Sequence, residues 1–310
     1  MLKPAALFLS LAAVGSAQAG VLDLGINNAN LFSLGSFSAQ GSDVEGAVLV
    51  AGSLSASNYS INDKNKDAYG SYSLVVGGSL SYTSGSIKHG NYYVAGASAM
   101  SSVGLQSSTK STSNPVDFNT LSSSVKNTSS SLSKVAATGS SSIQYGGMTL
   151  KGTGKSVEVF SLTGSDLSSV NNFKFSNLAK GSTLVFNVSG KSAIGFNQNG
   201  VGLDGFKDYN VVYNFYESQK LNIQNVGVYG SILAPLATVT GNGAQINGNV
   251  IVGNWMSNVQ VNANHYFSSA NVNGYGALTP VPEAQTYAML LAGLGVVGFI
   301  ARRRRLQQAG

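Results

Sequence analysis

The chain has 310 residues, no cysteine, 10% charged residues and a formal net charge of +6. The absence of cysteine excludes disulfides, thiolate nucleophiles and cysteine metal ligands. The positive charge comes from the chain ends: without Lys3, Glu283 and the four arginines at 302–305, 13 lysines face 11 acids and no arginine remains. Such a chain has no bidentate grip on phosphate, so nucleic acid is not an expected partner.

The first 19 residues have the three regions of a secretory signal peptide. Lys3 supplies the positive start, residues 5–14 form the apolar core, and Ala17 and Ala19 make a small-x-small cleavage site before Gly20. A buried N-terminal helix is the alternative. We predict export and cleavage after Ala19.

A pattern of alternating apolar residues followed by a small-residue corner returns along the rest of the chain. Its copies span residues 45–54, 73–80, 92–97, 228–234 and 246–253. Gly78 and Gly96 are eighteen residues apart, and so are Gly230 and Gly248. Short strands between Gly or Asn corners at a steady period favour an all-β, right-handed β-solenoid (β-helix), and a β-sandwich is the alternative. The core residues predicted to be shared between coils are Leu49, Val76, Ile232 and Val250.

One serine-rich segment between the two groups of strands has the spacing of a helix. Its residues recur three and four positions apart. They are Phe118, Leu121, Val125, Thr128, Leu132 and Val135. Asn114 is the expected N-cap. Asp117 in the first turn and Lys134 in the last turn interact favourably with the helix dipole, and Gly139 can end the helix. We predict a helix over about residues 115–138 that packs alongside the coils.

Two acidic patterns are candidates for chemistry. Asp43 and Glu45 lie two residues apart on a predicted strand, which places both carboxylates on one side, as a glycoside hydrolase would need. The segment from Asp63 to Asp67 alternates like a calcium loop, but Ala68 replaces the turn glycine and no bidentate glutamate follows. A corner of the first coil and an ordinary turn explain both patterns more simply.

Histidines and tyrosines give weaker signals. His89 and His265 are the only histidines, and neither has a neighbouring acid, which argues against a Ser-His-Asp arrangement. Six tyrosines in the first third could form an exposed row that stacks on sugars, or fill half-buried strand positions. They are Tyr59, Tyr69, Tyr72, Tyr82, Tyr92 and Tyr93. The sequence predicts no catalytic residue, no metal site and no cofactor.

The last thirty residues have the order of a sorting signal: a short motif, an apolar run from Tyr287 to Ala301, and a cluster of arginines. Fifteen apolar residues are short for a spanning helix, which needs about 17 to 25. The arginines would hold that end in the cytoplasm. The predicted signal residues are Val281, Pro282, Glu283, Arg302, Arg303, Arg304 and Arg305.

This arrangement resembles the PEP-CTERM sorting signal of Gram-negative bacteria, with Ala284 where the family has a second proline. The resemblance implies an apolar sorting helix that is held transiently in the inner membrane and cut near Glu283 by an exosortase. A plain C-terminal membrane anchor is the alternative.

The mature chain also resembles a surface-protein family. The segments at 43–46, 75–78, 230–239 and 246–251 are similar to the choice-of-anchor A domain, and the resemblance spans about residues 21–275. It implies a surface-exposed, adhesin-like module joined to an anchoring signal. A helix beside the coils is also similar to ice-binding solenoids, although no repeating Thr-x-Thr column accompanies Thr238 and Thr240.

These observations predict a signal peptide over residues 1–19, a choice-of-anchor A β-solenoid domain over 20–275 and a PEP-CTERM sorting segment over 276–310. We expect an exported, non-enzymatic protein of the outer cell surface or the extracellular biofilm matrix, with a structural or adhesive role. The expected partners are an exosortase-type enzyme and an exopolysaccharide or matrix protein. An ice-binding solenoid and a polysaccharide-binding or polysaccharide-acting protein are the alternatives.

Overall fold

The structure is a computed structural model that describes residues 19–191, 194–196 and 203–276. In this part of the chain about half of the residues lie in strands, and nearly all strand pairings are parallel. Residues 1–18, with Ala17, and the sorting residues of 281–305 lie outside the described residues. The described ranges contain no helix that is long and apolar enough to cross a membrane.

Eleven strands precede the long helix. They are β1 (Ala19–Leu22), β2 (Leu31–Ser33), β3 (Phe37–Gln40), β4 (Asp43–Val44), β5 (Val48–Val50), β6 (Leu54–Ile61), β7 (Tyr72–Val76), β8 (Leu80–Ile87), β9 (Asn91–Val94), β10 (Ser98–Gly104) and β11 (Thr109–Lys110). The helix α1 spans Phe118–Leu132.

Fourteen strands follow the long helix. They are β12 (Ser140–Gln144), β13 (Gly147–Lys151), β14 (Val157–Thr163), β15 (Asn172–Ser176), β16 (Thr183–Ser189), β17 (Ile194–Phe196), β18 (Asn210–Asn214), β19 (Lys220–Gln224), β20 (Gly227–Tyr229), β21 (Ser231–Asn242), β22 (Gln245–Asn247), β23 (Val250–Met256), β24 (Gln260–Asn262) and β25 (Ala270–Asn273). A short helix, α2, spans Gly164–Ser169, and a 3-10 turn spans Leu203–Asp208.

The parallel pairings form three ladders. The first ladder runs β14-β16-β18-β21-β23-β2-β5-β7-β9-β11. The second runs β17-β19-β21-β23-β3-β6-β8-β10. The third runs β20-β22-β24-β4-β6-β8-β10. Long strands such as β6 belong to two ladders because they bend at a corner.

The order of stacking differs from the order of the chain. The last strands of the C-terminal half pair with the first strands of the N-terminal half, as in Val250 with Leu31. Buried amides hold this junction: Asn30 Nδ2 donates to the Gly248 carbonyl (2.9 Å) and Asn249 Nδ2 donates to the Ala29 carbonyl (2.8 Å). The two halves therefore form one continuous stack, in which β2 lies between β23 of the C-terminal half and β5 of the N-terminal half.

The core has two parts because alternate side chains of the first ladder point to opposite sides. Val76, Ile232 and Val250 belong to the cluster enclosed by the three ladders, as predicted. The prediction for Leu49 is wrong: it is fully buried, but in the second cluster, between the first ladder and α1. Its neighbour Val48 takes the inner position, so the assignment was off by one residue.

The helix α1 is shorter than predicted and has a different N-cap. Asp117, and not Asn114, caps it by accepting hydrogen bonds from the amides of Asn119 (3.0 Å) and Thr120 (3.1 Å). The carboxylate of Asp117 has a lowered pKa because the Thr120 side chain and these amides donate to it. The helix ends at Leu132, before the residues predicted for its last turn.

Two buried asparagines donate hydrogen bonds to the last turn of α1. Asn187 Nδ2 donates to the Leu132 carbonyl (2.7 Å) and Asn214 Nδ2 donates to the Ser129 carbonyl (3.0 Å). The Ser129 hydroxyl donates in turn to Asn214 Oδ1 (2.6 Å). Strands β16 and β18 thus add side-chain hydrogen bonds to carbonyls that also accept from the Ser133 and Val135 amides (both 3.1 Å), and these contacts hold α1 along the first ladder.

Candidate binding groove

A column of glycines marks the corner between the first and second ladders. Each amide donates to the glycine carbonyl of the next coil: Gly96 to Gly78 (2.9 Å), Gly78 to Gly52 (2.8 Å), Gly52 to Gly35 (2.9 Å) and Gly35 to Gly253 (2.7 Å). A Cβ added at Gly78 would come within 2.7 Å of Gly52 backbone atoms. Only glycine allows this approach, and the missing side chains leave a recess along the corner.

Four tripeptides that follow these glycines line a groove of about 530 Å³. They are Ser36–Ser38, Ser53–Ser55, Ser79–Ser81 and Ala97–Ala99. In the first three, the middle residue (Phe37, Leu54 or Leu80) is buried with its side chain in the enclosed core, so the flanking serines provide the exposed surface. Met256, which is 39% exposed, closes one end.

The groove opens onto the second ladder, where outward side chains stand in columns across neighbouring coils. The first column contains Ser38, Ser55, Ser81 and Ala99, and the second contains Gln40, Ser57, Thr83 and Ser101. Neighbouring strands of a ladder lie about 4.8 Å apart. Small polar groups therefore repeat at the coil spacing over four coils, or about 14 Å.

The groove is neutral, and its backbone is already engaged. None of the thirteen described lining residues is charged. The Ser53 carbonyl accepts from the Phe37 amide (2.9 Å), and the Ser79 carbonyl accepts from the Leu54 amide (2.9 Å). A ligand would therefore meet serine hydroxyls, which both donate and accept, beside the exposed apolar side chains of Ala97, Ala99 and Met256.

A repeated four-residue pattern in the sequence marks the strands that line this groove. The pattern Gly-Ser-x-Ser occurs at residues 35–38, 52–55 and 78–81, and Gly-Ala-Ser-Ala follows at 96–99. Its copies are 17, 26 and 18 residues apart, so it does not appear as a fixed period. Only the register of the ladders aligns them.

The threonines of β21 form a single row. Thr238 pairs with Lys220 on one side and with Asn254 on the other, and Thr240 pairs with Asn222. Neighbouring coils thus place lysine or asparagine where a repeated column would need threonine. The structure agrees with the expectation that no Thr-x-Thr array is present at this site.

Asp43 and Glu45 do not form a simple pair. Glu45 accepts a hydrogen bond from the Ala263 amide (2.9 Å) and lies 3.8 Å from Lys64 Nζ. One oxygen of Asp43 and one of Asp63 are buried, and neither has a hydrogen-bond partner among the described residues. The spacing predicted Glu45 as the partner of Asp43, but Asp63 has the larger electrostatic effect on the pKa of Asp43.

Burial raises the pKa of Asp43, and the negative charges of Asp63 and Glu45 raise it further. A hydrogen bond from Gln260 and the charge of Lys88 act in the opposite direction. A carboxyl whose pKa is raised by burial and by nearby acids has one feature of a general acid. This cluster lies on the third ladder, however, and contributes nothing to the groove lining.

The carboxylates of Asp63 and Asp67 already interact with nearby amide and ammonium groups. Asn62 Nδ2 donates to Asp67 Oδ1 (2.6 Å), and Asp63 Oδ2 lies 3.8 Å from Lys64 Nζ and 4.0 Å from Lys88 Nζ. Over residues 19–191, 194–196 and 203–276, no group of three or more His, Cys, Asp or Glu side chains could hold a metal ion.

The two histidines have separate environments. His89 Nδ1 is 3.2 Å from the Ser107 hydroxyl, and His265 Nε2 is 2.8 Å from the Tyr209 carbonyl. Both histidines are half-buried, on elements far apart in the chain.

An exposed row of tyrosines in the first third is wrong. Tyr59 and Tyr82 are fully buried, Tyr92 is 7% exposed, and the other three are half-buried. Tyr59, Tyr82 and Tyr92 point inward from their strands, so the six residues do not form an exposed face.

Two family models match the chain. The first, described as "Putative Ice-binding-like adhesive domain", covers residues 24–263. The second, the PEP-CTERM protein-sorting motif, covers residues 280–305. No curated protein and no solved structure matches. The chain belongs to the ice-binding-like adhesive domain family, and it carries a PEP-CTERM signal behind that domain.

Together these matches define an exported surface protein with an adhesive domain. The sorting motif implies processing by exosortase-type machinery, membrane-associated sorting and display at the surface. Neither match describes an enzymatic domain.

Proposed function

We propose that this protein is a non-enzymatic adhesin of the outer cell surface or biofilm matrix, and that its groove binds a neutral, extended polysaccharide. The observation that carries this proposal is the uncharged groove in which three neighbouring strands repeat a pair of serines and a fourth has alanines in their place. We further propose that the three ladders wind as a right-handed β-solenoid of the choice-of-anchor A type, occupying residues 20–275.

The chemistry of the groove supports a sugar polymer over other ligands. Sugar hydroxyls match serine hydroxyls as donors and acceptors, and the C–H faces of sugar rings match the exposed apolar side chains of Ala97, Ala99 and Met256. A charged polymer would find no opposite charge among the lining residues. An added peptide strand would find no free carbonyl at Ser53 or Ser79, because each already accepts a hydrogen bond from the neighbouring strand.

A binding assay with defined probes tests this proposal. The exported full chain would be incubated with the host's own exopolysaccharide, with an uncharged glucan and with common matrix proteins. We expect retention by the neutral polysaccharides in preference to the matrix proteins. Binding to matrix proteins alone, or to none of the probes, contradicts the proposed function.

Ice binding is the second candidate, favoured by the family description. The single threonine row at Thr238 and Thr240 supports it less than a repeated array would. A measured thermal hysteresis together with no polysaccharide binding would reverse this ranking.

We also propose how the chain reaches the surface. Cleavage after Ala19 would free the mature chain, leaving residues 20–22 of β1 to pair with β25. The apolar run at 287–301 would then halt in the inner membrane, with Arg302 to Arg305 on the cytoplasmic side. An exosortase would cut near Glu283, where Pro282 keeps the backbone extended.

Substitutions in the motif test this route. In an exosortase-bearing host, replacing Pro282 and Glu283 with alanine should leave uncut protein in the inner membrane. Replacing the four arginines at 302–305 should instead let the tail pass through. Peptides from residues 287–301 still attached to wild-type protein at the cell surface would show that the tail is a plain anchor.

A further inference from the structure

The face that carries the groove has the same width in all four of its coils. In each coil, a corner glycine is followed six residues later by a residue with a positive φ. The pairs are Gly35 and Gly41 (φ +63°), Gly52 and Asn58 (φ +48°), Gly78 and Ser84 (φ +56°), and Gly96 and Ser102 (φ +56°). The chain turns at both positions, so each strand gives the face only the few residues between them. A long ligand can therefore gain further contacts only in the direction that crosses the coils.

Across the coils, the same face continues beyond the groove. Met256 ends the recess, and its pairing with Ser38 places it in the first outward column. On β21, Thr240 lies next to Met256 and pairs with Asn222 of β19. The face therefore spans seven coils from β10 to β19, or about 29 Å at a coil spacing of about 4.8 Å, whereas the groove covers four.

The added part of the face has the same hydrogen-bonding chemistry as the groove and almost no charge. Among the residues of the described second-ladder strands only Lys220 is charged, and it begins β19, at the far end of the face. Thr240 and Met256 are exposed, and Asn222 is half-buried. Asn222 Nδ2 donates to Thr240 Oγ1 (3.2 Å), which holds the two side chains together. No other hydrogen bond of the described residues uses the Thr240 hydroxyl hydrogen or Asn222 Oδ1, so one donor and one acceptor remain for a ligand.

We propose that the groove is one part of a longer binding face, and that a single neutral polysaccharide chain lies across all seven coils and also contacts Met256, Thr240 and Asn222. This proposal rests on the proposed function. Polar side chains recur at the coil spacing, so successive sugar units of an extended chain meet similar groups. Asn222 and Thr240 are bonded to each other before binding and need little further ordering. The ligand is a polymer, and short oligosaccharides fill only part of the face.

The dependence of affinity on ligand length tests this extension separately from the groove. Fragments of an uncharged glucan, of increasing length, would be titrated into the full chain in mild detergent by calorimetry. We expect the wild-type affinity to keep rising for fragments longer than the groove and to level off once they span seven coils. Thr240→Glu should level off at the groove length and bind the longest fragments about tenfold more weakly. Thr109→Glu, the same change at an exposed position of β11, is the control and should behave as wild type.

Asn222→Asp is a second, nearly isosteric change in the same part of the face and should shorten the site in the same way, and melting curves check that each variant is folded. A wild-type affinity that stops rising at the groove length would overturn the extension. Wild-type length dependence in both Thr240→Glu and Asn222→Asp would overturn it as well. In either case Ser55→Glu, in the groove, would still weaken fragments of every length. No binding of any fragment by the wild type would overturn the proposed function together with the extension.

Discussion

At the scale of single residues, the corner glycines decide how closely the coils approach. Gly78 has no room for a Cβ, because the backbone of Gly52 and the Ser53 hydroxyl would lie within 2.7 Å of it. Gly104 lies in β10 on the third ladder, and a Cβ added there would be 3.7 Å from its nearest neighbour. Comparing Gly→Ala at the two positions therefore distinguishes the effect of close packing from the general effect of replacing a glycine.

We predict that Gly78→Ala lowers the free energy of unfolding by about 1–3 kcal/mol, because the backbone of the neighbouring coil must shift. Gly104→Ala is the control and should change it by less than about 0.5 kcal/mol. Urea unfolding of both variants checks the difference. Equal stability of the two would show that the corner is not closely packed.

Asp43 gives a prediction about pH. Burial and two neighbouring acids raise its pKa above the ordinary value of 3.8. Because the folded-state pKa is raised, ionised Asp43 opposes folding above that pKa, and protonation at lower pH removes the cost. Asp43→Asn should therefore stabilise the protein at neutral pH by up to about 1 kcal/mol, allowing for solvent screening.

The advantage of Asp43→Asn should shrink as the pH falls through the pKa of Asp43, since the wild-type carboxyl then also becomes neutral. Melting curves at several pH values test this. Asp204→Asn, at an exposed carboxylate, is the control. An advantage that does not change with pH would contradict the electrostatic explanation.

At the scale of elements, α1 shows how tertiary contacts set the bounds of a weak helix. The spacing of Leu121 and Val125 predicted the helix and its buried face. Its end could not be predicted from local spacing, because Asn187 and Asn214, which contact its last turn, lie on strands far along the chain. Ser129, which occupies the buried position next to Thr128, was missed for the same reason.

Neighbouring serines on α1 allow a direct test of the asparagine contacts. Ser129→Ala removes the donor to Asn214 Oδ1, whereas Ser130→Ala changes an exposed side chain of the same helix. Both changes raise helix propensity equally. We expect Ser129→Ala to be about 1–2 kcal/mol less stable than Ser130→Ala, because a buried amide loses its partner.

Proteolysis and thermal melting measure this effect. Cleavage within residues 101–142 should become faster in Ser129→Ala while the strands keep their far-UV signal. Equal melting temperatures for the two serine variants would show that the helix is held by apolar contacts alone.

At the scale of the whole molecule, an N-terminal strand, β2, lies in the middle of the stack, between β23 and β5. The pairing of Leu31 with Val250 joins residues 219 positions apart, and no local pattern in the sequence indicates such a contact. The strands, the corners and the helix were predictable from local spacing. The order of the coils, and with it the alignment of the four serine tripeptides into one groove, depends on long-range register and was not.

The junction between the halves should be the most sensitive point of the stack. Val250 is fully buried and pairs with Ile232 on one side and Leu31 on the other. Val250→Asp should unfold the domain, since an unpaired buried carboxylate costs several kcal/mol. Met256→Asp, on the same strand but at a partly exposed position, should remain folded. A far-UV spectrum unchanged by Val250→Asp would contradict this register.

The central claim is that the serine groove is the adhesive site, and one binding comparison tests it most directly. Ser55→Glu places a charged, larger side chain in the middle of the groove, and Ser141→Glu places the same side chain on exposed β12. With the host's exopolysaccharide, we predict that Ser55→Glu raises the dissociation constant at least about tenfold, or about 1.4 kcal/mol, while Ser141→Glu leaves it unchanged. Equal affinities for wild type and Ser55→Glu would contradict the claim.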